Sequence, residues 1–324
     1  GSVGAGEAVR IFTGAPVPEG ADTIVIQENT EQSDEVVRVI DGTAPVGRYI
    51  RPAGLDFATG DVLLPSGKVL TARDVGLSAA MNVPWLNVHR KPRISILATG
   101  DEIVMPGDPI GRDQIVSSNA LSLAAFITAQ GGTPLDLGIA PDEEDGLRAL
   151  AAGARGSDIL VTTGGASVGD HDLVQSVLGD IGLEVDFWRI AMRPGKPLMF
   201  GRIDGTFLIG LPGNPVSSLV CAIIFLAPAI RKMLGMDNLL PETGTARLGT
   251  DLPENDERED YLRASLSRDD KGDIVATPYG KQDSSMFATI ARADALVIRK
   301  PFAPALNAGS AVEFIALKDS IFSI

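Results

Sequence analysis

The sequence predicts a multidomain protein: a central doubly wound, mainly parallel α/β sheet flanked by an N-terminal β domain and a small, β-barrel-like C-terminal domain. Three observations lead there. Up to about residue 70 the chain shows short apolar runs and turn signals but no helical period. From about Val88, strand-like and helix-like stretches alternate, which demands a parallel sheet covered on both faces. After Met236 the helical pattern stops and the strand–turn grammar returns. At 324 residues the chain is also too long for one typical core. The expected division is 1–70 (β domain), 71–87 (connector helix), 88–237 (α/β domain) and 238–324 (β domain).

In the first part, 23–27 (T-I-V-I-Q), 35–40, 49–51 and 62–64 read as strands, separated by turns at Asp41-Gly42, Pro45-Val46-Gly47 and Pro65-Ser66-Gly67. The stretch 70–81 is the first good helix, with Thr71 placed to cap it. In the α/β part, strands are expected at 93–98, 134–139, 158–162, 185–190, 198–200 and 207–209. Helices are expected at 121–130, closed by Gly131-Gly132, at 142–154 with acids in its first turn, at 173–178, and at 215–234, apolar and mostly buried. In the last part, 296–298 and 311–315 are strands of a barrel or meander, and the acidic run 251–260 reads as a solvated loop.

Composition narrows the functions. Hydrophobic content of 44% and charge of 22% are those of a globular chain. A net charge of −14 argues against sequence-independent nucleic-acid binding and repels anions at long range, so any phosphate site must gather its cations locally. The single cysteine, Cys221, excludes an internal disulfide framework and reads as a buried small hydrophobe, consistent with the cytoplasm. No uninterrupted apolar run reaches a membrane span, so no membrane partner is expected. The opening Gly1-Ser2-Val3, without methionine, fits a truncation or a tag remnant.

Chemistry is expected at three glycine-rich loops that adjoin strands. The first is V-T-T-G-G-A-S-V-G-D-H-D, residues 161–172. Gly164, Gly165 and Gly169 permit close backbone approach to a ligand, Ser167 supplies a hydroxyl, and the following helix offers an N-terminus to phosphate. A double glycine also serves as a plain tight turn. The second loop is Arg193-Pro194-Gly195-Lys196-Pro197, where two cations flank Pro194-Gly195 and proline-fixed φ angles would aim both at one point. The third is Pro212-Gly213-Asn214-Pro215, which opens the long helix. Thr99 and Gly100 precede Asp101-Glu102, which reads as a cation-binding pair or as a solvated acidic turn. Ser118-Asn119 and Asp142 each read as a helix cap or as site residues, and Asp170 as a cap. Neither histidine has a metal-binding pattern.

Taken in order, G-G-A-S-V-G-D-H-D, R-P-G-K-P and G-L-P-G-N-P-V-S closely resemble the signature of the molybdopterin molybdotransferase family, called MoeA in bacteria and including the eukaryotic gephyrin-type proteins. Further matches run from Arg10 to Leu317, among them T-G-A-P-V-P-E-G-A-D (13–22) and R-P-A-G-L-D (51–56). The resemblance implies a molybdopterin-binding sheet domain. It implies an enzyme that inserts molybdate into adenylylated molybdopterin and releases AMP, with Mg2+ required. It implies Glu102, Asp142, Asp172 and Lys196 as catalytic, with Glu102 and Asp172 holding the metal. Substrate would be bound by Thr13, Thr99, Gly100, Ser118, Asn119, Gly164, Gly165, Ser167, Gly169, Arg193, Pro194, Gly195, Pro197, Pro212, Gly213, Asn214, Pro215, Arg263, Ser284 and Ser285. Apart from the resemblance, Arg263 reads as a surface residue of a strand. The family is a homodimer in which the Thr13 loop reaches the partner's site, and it works beside other cofactor-synthesis proteins.

The chain departs from the family in two ways. Arg193 stands where the family often has lysine, and the family's N-terminal M-D-G-Y-A-like segment has no counterpart here. Two other readings exist: a scaffold of the gephyrin type, against which stands the absence of linkers or appended domains, and a molybdopterin adenylyltransferase, against which stand the flanking β domains.

Overall fold

A computed structural model describes residues 1–41, 44–164, 173–180 and 182–317. The chain divides into two compact units, Gly1–Pro65 and Ser66–Ile324.

In the first unit, Thr30–Ser33 and Val36–Val39 form an antiparallel hairpin whose two-residue turn places Asp34 at φ 49°, the left-handed conformation such turns need. The other expected strands do not form. Residues 23–27 run into a 3-10 turn, Gln27–Asn29, and only isolated bonds, Ile24 N–H to Arg48 C=O and Gly47 N–H to Asp22 C=O, replace a ladder. Tyr49 has φ 60°, which breaks 49–51 as an extended run. No strand pairs with 62–64 among the described residues. No described residue of this unit is buried, so a core of its own contributes little to its stability.

The second unit begins with helix Ala72–Ala80, held by a capping box between Thr71 and Asp74, with Lys68 2.6 Å from the Asp74 carboxylate. A six-stranded sheet follows, in the order Thr133–Ala140, Arg93–Thr99, Ile159–Thr163, Thr206–Leu211, Met199–Ile203, Glu184–Trp188. The first four strands are parallel, and Met199–Ile203 runs antiparallel to both its neighbours. Alternation within each strand assigns the faces. Ile94, Ile96, Ile159, Val161, Ile209 and Leu211 pack under helices Asn119–Ala129 and Pro215–Met233. Leu97, Leu160 and Leu208 pack with Leu147 and Ala151 of helix Glu144–Ala151 and Val177 and Leu178 of helix Leu173–Asp180. The sheet is thus doubly wound. Strand Glu184–Trp188 stops short of residue 190 because Arg189 takes φ 74°.

Pro215–Met233 is the one helix among the described residues long and apolar enough to cross a membrane by length and composition, and half of it is buried. Its middle, Ala222–Leu226, is a π turn closed by Ala227 N–H to Ala222 C=O. Pro228 lacks an N–H and its ring would strike the carbonyl four residues back, and the wider turn makes room for it.

The final part is a closed five-stranded barrel. Ile274–Pro278 pairs with both Thr243–Leu248 and Glu259–Arg268, and Ala295–Arg299 and Ala311–Ala316 complete the ring. Its core uses Ala246, Ala264, Ala276 and Ala295 with Val297, Val312 and Phe314, small side chains that fit a narrow interior. The two-residue strand Met192–Arg193 pairs in parallel with Glu259–Asp260 and joins the barrel to the α/β part.

Candidate functional site

The strand order fixes where ligands should bind. The chain moves outward from Arg93–Thr99 to Thr133–Ala140, then returns past it to Ile159–Thr163. The direction of winding reverses there, and the crevice beyond the strands' carboxyl ends is the usual ligand seat of such sheets. Register places Thr99 opposite Ala140, Ala98 opposite Thr163, and Leu211 opposite Thr163. The loops starting at Gly100, Pro141, Gly164 and Pro212 therefore leave one edge together.

They touch there. Gly164 has φ +88°, and a Cβ on it would lie 2.6 Å from the Thr99 carbonyl oxygen. A Cβ on Gly213 would lie 3.5 Å from the Gly164 Cα. Asn119 Nδ2 donates to the Gly213 carbonyl at 2.7 Å, which orients the amide and leaves Oδ1 as its unused acceptor. Asn119 Oδ1, Thr99 Oγ1 and Ser218 Oγ are buried without a partner among the described residues. Buried polar atoms ordinarily find partners, and two of these three belong to residues that touch the glycine seam, Thr99 at Gly164 and Asn119 at Gly213. Asn214 Nδ2 donates to Ser284 Oγ at 2.9 Å, and Val216 N–H to Ser284 C=O at 3.1 Å, so the barrel's 282–285 segment sits on the start of the long helix.

The acidic residues form a second group. Asp101 N–H points to Asp142 Oδ2 at 3.4 Å and Asp142 N–H to Asp101 Oδ1 at 3.1 Å. Glu102 is exposed, and its carboxylate folds over Gly100 closely enough that a Cβ there would come within 2.5 Å. No group of three metal-ligating side chains occurs among the described residues.

The cations differ from one another. Lys196 is exposed and has no ion pair among the described residues. Its loop lies directly on the long helix: a Cβ on Gly195, at φ +120°, would come within 2.5 Å of both Cys221 Sγ and Met192 Cε. Cys221 is fully buried, and burial pushes its thiol pKa far up. Arg263 is 1% exposed and binds Gln282 Oε1 at 2.9 Å and the Asp283 carbonyl at 2.6 Å. Burial lowers its pKa. Asp283 is held low by bonds from the Ser285 backbone and hydroxyl.

Residues 95–232 match the family model described as a probable molybdopterin binding domain, 1–82 that of the MoeA N-terminal region (domain I and II), and 245–317 that of the MoeA C-terminal region (domain IV). A molybdopterin molybdenumtransferase of Nostoc sp. is 35% identical over 298 residues, covering 90% of this chain and 68% of that protein. The Haemophilus influenzae molybdopterin molybdenumtransferase is 31% identical over 307 residues, covering 94% and 76%. The crystal structure of a molybdopterin biosynthesis moea protein from Pyrococcus horikosii superposes with a TM-score of 0.84 at 30% identity, covering 98% of this chain and 78% of that one. The chain belongs to the molybdopterin molybdenumtransferase (MoeA) family.

Several residues expected from the MoeA resemblance stand otherwise than the sequence suggests. Arg193 does not join Lys196 as an open cation: Nη1 binds Asp256 Oδ2 at 3.1 Å, and Nη2 binds Asn255 Oδ1 at 3.2 Å and the Asp260 carboxylate. Of the run 251–260, residues 251–258 lie outside the named strands and none of them is buried, as a loop would have it, whereas Glu259 and Asp260 belong to strand Glu259–Arg268 and Asp260 is 4% exposed. Arg263 is buried rather than on the surface, because its strand faces the 282–285 segment. Asp142 precedes the N-cap position, Glu143, and does not cap. Ser118 occupies an N-cap position but its side chain makes no capping bond. Arg189 stacks on Trp188, 4.0 Å from its ring centre.

Pro194, Pro197, Pro212 and Pro215 hold their loops' backbones, with Pro215 at the first turn of the long helix. Ser285 is exposed beside Ser284. Gly165, Ser167, Gly169, Asp170, His171 and Asp172 lie outside the described residues. Thr13 is exposed in a turn of the first unit, where Ala15 N–H meets Phe12 C=O. Sequence reasoning placed Gln282 only within the segment 282–285 that resembles the family, and it missed Asn255, Asp256 and Asp260, polar residues whose partner Arg193 is distant in the chain and leaves no local pattern.

Proposed function

We propose that this MoeA-family chain inserts molybdate into adenylylated molybdopterin and releases AMP. The observation that supports this best is the continuous set of contacts Thr99–Gly164–Gly213–Asn119 and Asn214–Ser284 at the sheet's switch point, with Lys196 on the neighbouring loop. The glycine seam gives a flat ligand part close access to backbone, and Asn119 Oδ1 offers it an acceptor. Lys196 supplies a point charge for an oxyanion or phosphate in a chain that is otherwise acidic. Asp142 and Asp101 brace each other and set the turn that carries Glu102. The Val216 amide is already taken by Ser284, so phosphate at the long helix would rest on the remaining amides.

Mg2+ belongs to this reading. Glu102 is an exposed hard-oxygen donor without an ion pair among the described residues, and magnesium is commonly held by one or two carboxylates plus phosphate oxygens. Glu102 and Asp172 would hold it, and it would neutralise charge on the phosphoanhydride as AMP leaves. The reading extends to a cytoplasmic homodimer in which Thr13 serves the partner's site, to contacts with other cofactor-synthesis proteins, and to the division 1–70, 71–87, 88–237 and 238–324.

The test is AMP release from adenylylated molybdopterin with molybdate and magnesium. Molybdate-dependent release that falls at least about a hundredfold in Lys196→Ala supports the reading. No release from the folded chain, or release indifferent to Lys196, refutes it.

A further inference from the structure

Resting on that functional reading, we infer that Arg193 is a positioning residue and not an anion ligand: it locks the Lys196 loop to the barrel strand Glu259–Arg268. Three acceptors of one segment, Asn255, Asp256 and Asp260, converge on its guanidinium. Beside it, Met192–Arg193 pairs in parallel with Glu259–Asp260, and Glu259 N–H reaches the Ala191 carbonyl at 3.0 Å. Backbone and side chain thus fix the same point from two directions.

Charge argues the same way. Arg193 is paired with both Asp256 and Asp260, so its charge is already met by two carboxylates, which weakens its pull on an oxyanion. Asp256 is held at about 2, first by the Arg258 side chain and also by Arg193, and therefore stays ionised throughout the working range of pH. Only a planar fork serves several acceptors in this way, and lysine would offer one compact charge.

The strand thus held carries Arg263, which fixes Gln282 and Asp283, and Ser284 then meets Asn214 and Val216. Arg193 is therefore the joint that sets the Lys196 loop against the 282–285 segment. Lys196, exposed and without an ion pair among the described residues, depends on this joint for its placement.

The experiment uses the full chain with Arg193→Lys, Arg193→Met, Asp256→Asn and the double variant Arg193→Met/Asp256→Asn. Asp256 is chosen over Asp260 because its carboxylate is partly exposed, so neutralising it does not disturb a buried ion pair. AMP release is measured across molybdate concentrations to separate kcat from KM, and hydrogen exchange is followed at the Ile190 amide, which donates to the Lys196 carbonyl. Each single variant, Arg193→Lys included, is expected to lose about tenfold in kcat, the equivalent of one charge-assisted hydrogen bond, with the molybdate KM within about twofold of the parent. The double variant is expected to lose less than the two singles added together, because both remove the Arg193–Asp256 bond while Asp256→Asn also loosens Arg258 and Arg193→Met also frees Asp260. Ile190 exchange should quicken in all of them. A molybdate KM that rises about tenfold in Arg193→Met while Arg193→Lys and Asp256→Asn match the parent would make Arg193 an anion ligand and overturn the inference. If the parent chain releases no AMP, the functional reading fails by itself. Ile190 exchange then decides: unchanged exchange in Arg193→Met and Asp256→Asn removes the joint, and faster exchange in both sustains it.

Discussion

Replacing Gly164 by alanine tests the glycine seam directly, with Gly213→Ala as its comparison. At Gly164 two costs add. Its φ of +88° is left-handed, which costs a residue with a Cβ about 1–2 kcal/mol. The new Cβ would also sit 2.6 Å from the Thr99 carbonyl oxygen and 3.0 Å from its hydroxyl. That carbonyl belongs to the end of a strand paired on both sides, so relief requires a backbone shift, an overpacking cost of about 1–3 kcal/mol. The total is about 3 kcal/mol, a fall in melting temperature of about 6–12 °C for a domain of this size. The shift also moves the loop bearing Asp101 and Glu102, so AMP release should fall with stability. Gly213 has no left-handed φ, and its Cβ would meet the Gly164 Cα at an ordinary 3.5 Å, so Gly213→Ala should cost under about 1 kcal/mol. Calorimetry of both variants beside the parent gives the answer. Equal melting temperatures for the two, or a Gly164→Ala transition within error of the parent, would refute the geometry argued for the seam.

Three other outcomes are expected. Arg263→Lys should lower stability by about 2–3 kcal/mol in a urea titration, since at least one bond from a charged group to Gln282 or Asp283 is lost where water does not replace it. Asp74, held at about 2 chiefly by Lys68 against an ordinary 3.8, contributes stability that is present above pH 3.8 and is lost as pH falls toward 2. Lys68→Ala should therefore flatten the acid limb of a stability-against-pH profile in that window, and an unchanged limb would contradict the pairing. Cys221, fully buried with its thiol pKa pushed up, should not react with an aromatic disulfide reagent in the native chain and should react once it is unfolded in urea.

Much of the architecture was legible because it rests on short-range pattern. The alternation of Ile94, Ile96 and Leu97, or of Ile159, Leu160 and Val161, declares strands buried on both faces. Gly131 at φ 88° closes its helix as a C-terminal glycine should, and Thr71 caps with Asp74. Two of the three glycine-rich motifs begin at Gly164 and Pro212, at strand ends that the register brings to one edge together with the loop at Gly100. Where the pattern was short, reading failed. Residues 23–27 are an apolar run of strand type but enter no ladder among the described residues, and a strand exists only as half of a ladder.

The sequence by itself determined the layered sheet, the barrel after it and the family, since periodicity, turn chemistry and contiguous motifs are properties of neighbours along the chain. Only the tertiary structure decided what each charged residue does. Arg193 and Lys196 are three positions apart and look alike in sequence. One meets Asp256 and Asp260 more than sixty residues away, and the other stays exposed. Arg263 looked like a surface residue and is buried against Gln282. The role of a charge depends on which partners and how much water surround it, and both are set by contacts between distant segments, which no local pattern encodes.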